Sequence, residues 1–448
     1  MLFNEFKEYV VAACKQAGIE EYELYYQAGS STSVDTFKHE LNEFTSQETG
    51  GVCFRCIVGG KMGYASTEDM SQQQAFAIVS KAVDNATVLE SEEKVFLGEG
   101  GQEYEPLNVK TYDLPSTEEL ISTVLKTQEK IYAADPMVID GCQTQGIVES
   151  SKIAIFNSKG LDLSYDMNAS GLVVAGVVSN GKDMSNDYQI KLGKLSELDI
   201  DAMVKKAVDG AKIKLGGDVA PTGQYPVVFN TEAMCSLLGV YSSIFSSEAA
   251  QKGLSRLADQ EGKMIASQLV TLVDDPFHPE NPMPRNFDAE GSPTHTKCII
   301  EKGKLNTLLY NLKTAAVAGK KTTGNASKAG YDASVAVRPF TMYLAGGDMT
   351  EEQLLQKAGN GVYITDLSGL HAGANPISGD FSLQSAGFMI RDGKKCEYVK
   401  SFTVAGNFYE LLKNVVALAD NCHLPRAMGA TAFGAPTVLV EGLSVAGK

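Results

Sequence analysis

The strongest constraint on the fold is the way the hydrophobic period changes, and then changes again, along the chain. Residues 3–16 repeat at helical spacing, with Phe3, Phe6, Val10 and Ala13 on one stripe and Gly18 placed to stop the helix. Residues 22–65 switch to β-branched and aromatic runs broken by Gly50-Gly51 and Gly59-Gly60, the pattern of strands and turns. Ser71 with Gln74 forms a capping pair that opens a helix to about Thr87, with Phe76, Val79 and Val83 facing inward. After a polar, Glu- and Gly-rich connection (88–114) the order recurs. Ser116 with Glu119 opens a helix carrying Leu120, Ile121, Val124, Leu125 and Ile131. Strands over 137–192 turn at Ser158-Lys-Gly160 and Asn180-Gly181, and a helix near 198–215 stops at Gly216-Gly217. Within the two closing helices, Lys81-Ala-Val-Asp-Asn-Ala86 is echoed by Lys206-Ala-Val-Asp-Gly-Ala211. The echo points to two related strand-plus-helix units, about 1–90 and 115–218.

Pro221-Thr-Gly-Gln-Tyr-Pro226 opens a second half that begins with a strand, Val227–Phe229, and a helix capped at Asn230 or Thr231. Beyond Ser267 the chain is rich in short strands and glycine turns, with helices expected near 350–358 and 407–417. Runs of strands beside separate helices specify an α+β protein. The expected division is an N-terminal α/β domain, 1–218, and a β-rich C-terminal domain, 219–448.

Charge narrows the function classes. Lys plus Arg total 39 against 55 Asp plus Glu, a net charge of −16, which opposes direct binding to nucleic acid or anionic membranes. The first residues lack a basic n-region, and no stretch approaches the roughly 18 apolar residues of a membrane span. Eight sparse, irregularly spaced cysteines fit reduced structural thiols, so the expected location is the cytoplasm.

Local motifs with chemical precedent fail one by one. Gly176-Val-Val-Ser-Asn-Gly181-Lys182-Asp183 nearly matches a phosphate-binding loop, but Asp183 lacks the hydroxyl that ligates magnesium, and Asn180-Gly181 is a strong hairpin turn. Cys53-Phe-Arg-Cys56 has the spacing of a zinc pair without a second pair, and on a strand the two sulfurs face opposite ways. His39-Glu40 is followed by Glu43 and Phe44 where a zinc helix needs its second histidine, and His278, His295, His371 and His423 are scattered. Asp274-Asp275-Pro276 and Asp288 with Glu290 are read as turn carboxylates. Asp380 and Ser382 have no histidine near them in sequence to complete a hydrolase triad.

The second half nevertheless carries an ordered set of motifs: Tyr225-Pro-Val-Val-Phe229, Ile265 to Pro276, Asn286-Phe-Asp-Ala-Glu-Gly291, Gly324-Asn-Ala326, Ile377 to Gly387, and Phe402 to Asn407. With Gly59-Gly-Lys-Met-Gly-Tyr-Ala-Ser-Thr67 in the first half, the chain strongly resembles the TldD/PmbA family over almost its whole length. The resemblance implies a subunit of a two-protein metallopeptidase acting on unfolded peptides, with one zinc-bearing subunit (TldD) and one without zinc (PmbA, also called TldE). Members were first described as modulators of DNA gyrase.

In the zinc subunit, a His-Glu-x-x-x-His segment lies on the helix after the Pro-Val-Val strand, and a C-terminal Cys completes the site. Aligned on Leu237 and Leu238, the first His falls on Gly239, the Glu on Val240 and the second His on Ile244, while the Cys falls on Gly429. None can bind a metal or move a proton. The resemblance therefore implies the non-catalytic side: no catalytic residue and no cofactor here, zinc in a TldD-like partner, and a homodimer left open for the chain alone. Thr323, Asn325, Asn375, Asp380 and Ser382 are candidates for one wall of a peptide groove. The alternative is a regulatory protein acting on gyrase or on toxin–antitoxin components without proteolysis, and a third reading is a stand-alone hydrolase built on Asp380 and Ser382.

Overall fold

In the computed structural model, which describes residues 2–90, 93–107, 114–281, 283–428 and 431–448, the first apolar stripe becomes helix α1 (Phe3–Ala17). Gly18 ends it in the left-handed region at φ 68°. Strands β1 (Tyr22–Phe37), β2 (Glu40–Val58) and β3 (Lys61–Thr67) follow, then α2 (Gln72–Val88), whose cap Ser71 accepts from the Gln74 N–H at 3.3 Å. The order repeats with α3 (Thr117–Ala134), opened by the reciprocal Ser116–Glu119 box, then β4 (Gln143–Asn157), β5 (Asp162–Ser179), β6 (Met184–Leu192) and α4 (Ile200–Ile213).

The two sets of strands share one sheet in the order β3-β2-β1-β4-β5-β6, joined where β1 and β4 pair from Glu23–Asn157 to Phe37–Gln143. Each half keeps its own core, Phe6, Leu24, Phe54 and Val79 in one and Leu120, Val124, Val174 and Met203 in the other. The sequence echo has a packing reason. Ala82 of α2 presses so close to Gly63 of β3 that a Cβ there would lie 1.9 Å from the Ala82 carbonyl oxygen. In the other half, Gly176 of β5 faces Ala207 and Val208 of α4, with a Cβ 3.3 Å from the valine. Small helix residues opposite a strand glycine let helix and sheet approach. On α2 the buried stripe is Ala75, Ile78, Val79 and Ala82, with Phe76 and Val83 at its half-buried edge.

The chain divides into two compact units: Met1–Gln102, Asn108–Gly216 and Lys328–Ser334 in one, and Glu103–Leu107, Gly217–Ser327 and Val335–Lys448 in the other. The second unit starts with β7 (Gly223–Phe229), α5 (Thr231–Tyr241), α6 (Ser247–Gln251), β8 (Leu272–Asp274), β9 (Lys297–Glu301), β10 (Lys304–Leu305) and α7 (Leu312–Ala318). It continues through β11 (Ala326–Ser327), β12 (Ala336–Val337), β13 (Thr341–Leu344), α8 (Glu351–Ala358), β14 (Gly361–Ser368) and α9 (Leu370–Gly373). It ends with β15 (Asp380–Arg391), β16 (Lys394–Asn407), α10 (Phe408–Lys413), β17 (Val415–Leu418), β18 (His423–Met428), β19 (Thr431–Ala435) and β20 (Val438–Ala446).

One sheet of this unit runs β16-β15-β14-β7-β20-β17, and β16 also pairs with β20, closing a ring of strands. A second sheet runs β10-β9-β8-β13-β19-β18. Helix α5 packs against strands of both, which is why Leu237, Leu238 and Tyr241 are fully buried. The helix expected over 407–417 stops at Lys413. Val415–Leu418 instead forms β17 against β20, because an apolar run this short fits either period and the free edge of β20 decides it. Among the described residues no helix is long and apolar enough to cross a membrane.

Candidate functional site

Helix α5 starts where the Asn230 side chain accepts the Ala233 N–H at 2.8 Å, and it ends at Tyr241, where a tighter turn, Ser242–Phe245, takes over. That change of winding separates the three aligned positions. Gly239 and Val240 are half-buried and line a cavity of about 470 Å³, whereas Ile244 is turned into the apolar core at 1% exposure. The remaining walls are the turn after α5, helix α6, residues 337–339 and β19.

The cavity's ionisable residues are Glu248, Lys252 and Arg338. Glu248 and Lys252 neutralise each other at 2.6 Å, while Arg338 is exposed and makes no side-chain ion pair among the described residues. This set does not fit zinc. The side chains of glycine, valine and isoleucine offer no lone pair, and the one carboxylate of the lining is paired with Lys252. Gly429 lies outside the described residues. Among those described, no group of three His, Cys, Asp or Glu side chains converges.

The five groove candidates fall in two separate places, and none lines the cavity. Asn325 is fully buried. Its amide nitrogen donates to Asp274 Oδ2 at 2.7 Å and to the Arg338 carbonyl at 3.0 Å, and its oxygen accepts from the Thr323 hydroxyl at 2.7 Å. Thr323 and Asn325 therefore brace the 337–339 wall from behind. Asn375 and Asp380 close a surface loop on themselves. The Asn375 N–H donates to the Asp380 carbonyl at 2.9 Å, and Tyr241 Oη donates to the same oxygen at 2.8 Å. The Asp380 carboxylate accepts from Asn407 Nδ2 at 2.7 Å, and bonds from Asn407 and Ser378 hold it below the usual carboxylate range. Ser382 is exposed on β15, on the same face as Asp380, and among the described residues its hydroxyl makes no hydrogen bond to a base that would activate it.

Two carboxylates read as turn residues are buried instead. Asp274 ends β8 at 0% exposure, because its oxygens take the Phe340 and Thr341 N–H groups, the Asn325 amide and the Lys297 ammonium, the last at 3.1 Å. Asp288 does sit in a turn, but burial and the neighbouring Glu290 carboxylate push it up to about 7. Its oxygens accept the N–H groups of Glu290, Ser292 and Ala326, a structural role. Cys53 and Cys56 face opposite sides of β2, the first toward Lys328 and the second toward Cys14 of α1.

Family models place the chain. The PmbA/TldA metallopeptidase C-terminal domain matches residues 222–447, half of the chain, and domain 1 and the central domain of the same family match 22–86 and 110–215. The chain belongs to the PmbA/TldD metallopeptidase family. A metalloprotease of Methanothermobacter thermautotrophicus is 27% identical over 86% of this chain and 85% of its own length. Metalloprotease PmbA of Escherichia coli O157:H7 is 25% identical over 87% of this chain and 85% of that protein. A crystal structure from Thermotoga maritima, described as "a putative modulator of a DNA gyrase", superposes with a TM-score of 0.89 at 29% identity, covering 99% of this chain and all of that one.

The family's first two domains coincide with the two strand-plus-helix halves of the six-stranded sheet. The whole cavity lies inside its C-terminal domain. Within that PmbA/TldD domain, Arg338, Ser243 and Lys252 were invisible to motif reading. They come from separate segments and form no spacing pattern.

Proposed function

We propose that this chain is the zinc-less subunit of a PmbA/TldD-type peptidase pair in the cytoplasm, forming one wall of a groove for unfolded peptides. The reading rests on one observation above others. The residues that the sequence resemblance sets against the zinc subunit's His-Glu-x-x-x-His carry no metal-binding side chain, and they lie on a cavity wall (Gly239 and Val240) and in the core (Ile244). A TldD-like partner supplies the zinc and the carboxylate base in this reading, and this chain supplies shape and polar contacts. Main-chain hydrogen bonds to an extended peptide would give affinity with little sequence preference.

The test is to purify the chain alone and together with a TldD-like protein of the same source, then follow cleavage of an unfolded peptide with and without chelator. Co-purification with cleavage that the chelator abolishes, and no cleavage by this chain alone, is the expected result. Chelator-resistant cleavage by the chain alone overturns the proposal. Failure to co-purify favours the regulatory reading, in which the acidic surface meets a protein, such as gyrase or an antitoxin, rather than DNA. Light scattering on the chain alone reports whether it self-associates to a homodimer.

A further inference from the structure

We infer that the cavity at the end of α5 binds a single carboxylate, from a peptide's C-terminus or from an Asp or Glu side chain, through the guanidinium of Arg338. The ligand's being a peptide rests on the function proposed above, whereas the carboxylate preference comes from the cavity itself. Its volume of about 470 Å³ is that of a ligand pocket. Of its three charged residues, Glu248 and Lys252 cancel each other at 2.6 Å, leaving the Arg338 guanidinium as the one unmatched charge among the described lining residues.

A guanidinium presents parallel N–H groups that match a planar carboxylate in two hydrogen bonds. The exposed Ser243 hydroxyl, on the same lining, is a further donor. Phosphate fits less well, because its second negative charge would find no second unpaired cation among the described lining residues. Apolar lining from Val240, Leu254 and Phe433 accommodates the chain that carries the carboxylate.

Arg338 also projects from a fixed backbone. Its N–H donates to the Asn325 carbonyl at 3.1 Å, its carbonyl accepts from Asn325 Nδ2, and the next carbonyl, of Pro339, accepts the Thr431 hydroxyl at 2.9 Å. These bonds fix the backbone of the segment, so binding has only the Arg338 side chain left to order. The net charge of −16 repels anions from the protein at large, so attraction of a carboxylate must be local.

The test uses the full-length chain and three N-terminally labelled, unstructured pentapeptides without other charges: one with a free carboxyl terminus, the same peptide amidated, and the amidated peptide with one internal Glu. Binding is read by fluorescence anisotropy. The free acid is expected to bind about tenfold to hundredfold more tightly than the amide, the ratio for a charge-assisted bond. Arg338→Ala should erase that ratio and Arg338→Lys should restore part of it. Because the readout is a ratio on one protein sample, partial misfolding of a variant does not imitate the result, and Ala249→Trp, which adds bulk to the cavity lining while keeping the Arg338 side chain, should abolish binding.

Recovery of affinity by the Glu peptide assigns the site to side-chain carboxylates, and no recovery assigns it to the terminus; both support the inference. Equal binding of acid and amide, binding of neither, or an acid preference that survives Arg338→Ala overturns it. An acid preference without cleavage by the paired proteins would refute the peptidase role alone, and cleavage without an acid preference would refute this site alone.

Discussion

Replacing Asp274 by Ala removes the centre of the network behind the cavity wall. In the folded chain its carboxylate accepts the N–H groups of Phe340 and Thr341 at 2.9 Å each and the Asn325 amide at 2.7 Å, and it pairs with Lys297 at 3.1 Å. Both partners of the ion pair are buried, at 0% and 5% side-chain exposure. Asp274→Ala leaves the ammonium without a counterion, which typically costs about 3–5 kcal/mol. It also leaves three donors unsatisfied, each costing roughly 1–3 kcal/mol when nothing replaces the acceptor, though these costs are not additive.

The opposite substitution is milder. Lys297→Met leaves a carboxylate that still accepts three N–H bonds. The prediction is an ordering of losses: Asp274→Ala by at least about 3 kcal/mol, Lys297→Met by less, and the double variant by less than Asp274→Ala alone. Urea titration followed by tyrosine fluorescence reads the order directly, since the chain has no tryptophan. A Lys297→Met loss equal to or larger than that of Asp274→Ala would refute the reasoning, because the unpaired ammonium would then not be the dominant cost.

Three further outcomes follow from particular contacts. Gly63→Ala should lower stability by about 1–3 kcal/mol through overpacking, while Gly176→Ala should cost less, because the added methyl meets a carbonyl at 1.9 Å in one half and a valine side chain at 3.3 Å in the other; paired thermal melts decide it. Asp288 is raised to about 7 in the folded chain against about 4 in an unfolded one, so the folded form holds the extra proton between those values and stability should fall as pH rises through that window. Asp288→Asn should flatten this dependence when urea midpoints are compared at pH 5 and 7.5. Introducing a His-Glu-x-x-x-His segment with Gly239→His, Val240→Glu and Ile244→His should lower the melting temperature without creating a tight zinc site, as competition with a chromophoric chelator would report, because position 244 lies past the end of α5 in the core.

The elements of the first half were legible because each carries its own signal. Gly18, Ser71, Ser116 and Asn180-Gly181 mark ends and turns through local backbone chemistry that needs no distant partner. The 408–417 region was not, because Leu411, Leu412 and Val415 suit either a helix or a strand until β20 offers an edge. The turn-like Asp274 misled for a related reason. Its neighbours Lys297, Asn325 and Phe340 are far away in sequence, and burial is a property of the folded chain.

The sequence by itself determined the family, the α+β class, and the lack of metal-binding side chains at 239, 240 and 244. Side-chain identity is enough to show that glycine, valine and isoleucine bind no metal. Only the tertiary structure decided what stands there instead. Packing of α5 against two sheets opens a cavity at Gly239 and Val240, turns Ile244 away, and brings Arg338 to the cavity wall without an ion-pair partner among the described residues. Such a site is assembled from segments around 240, 250, 338 and 431, and their meeting is set by strand pairing and core burial rather than by local spacing.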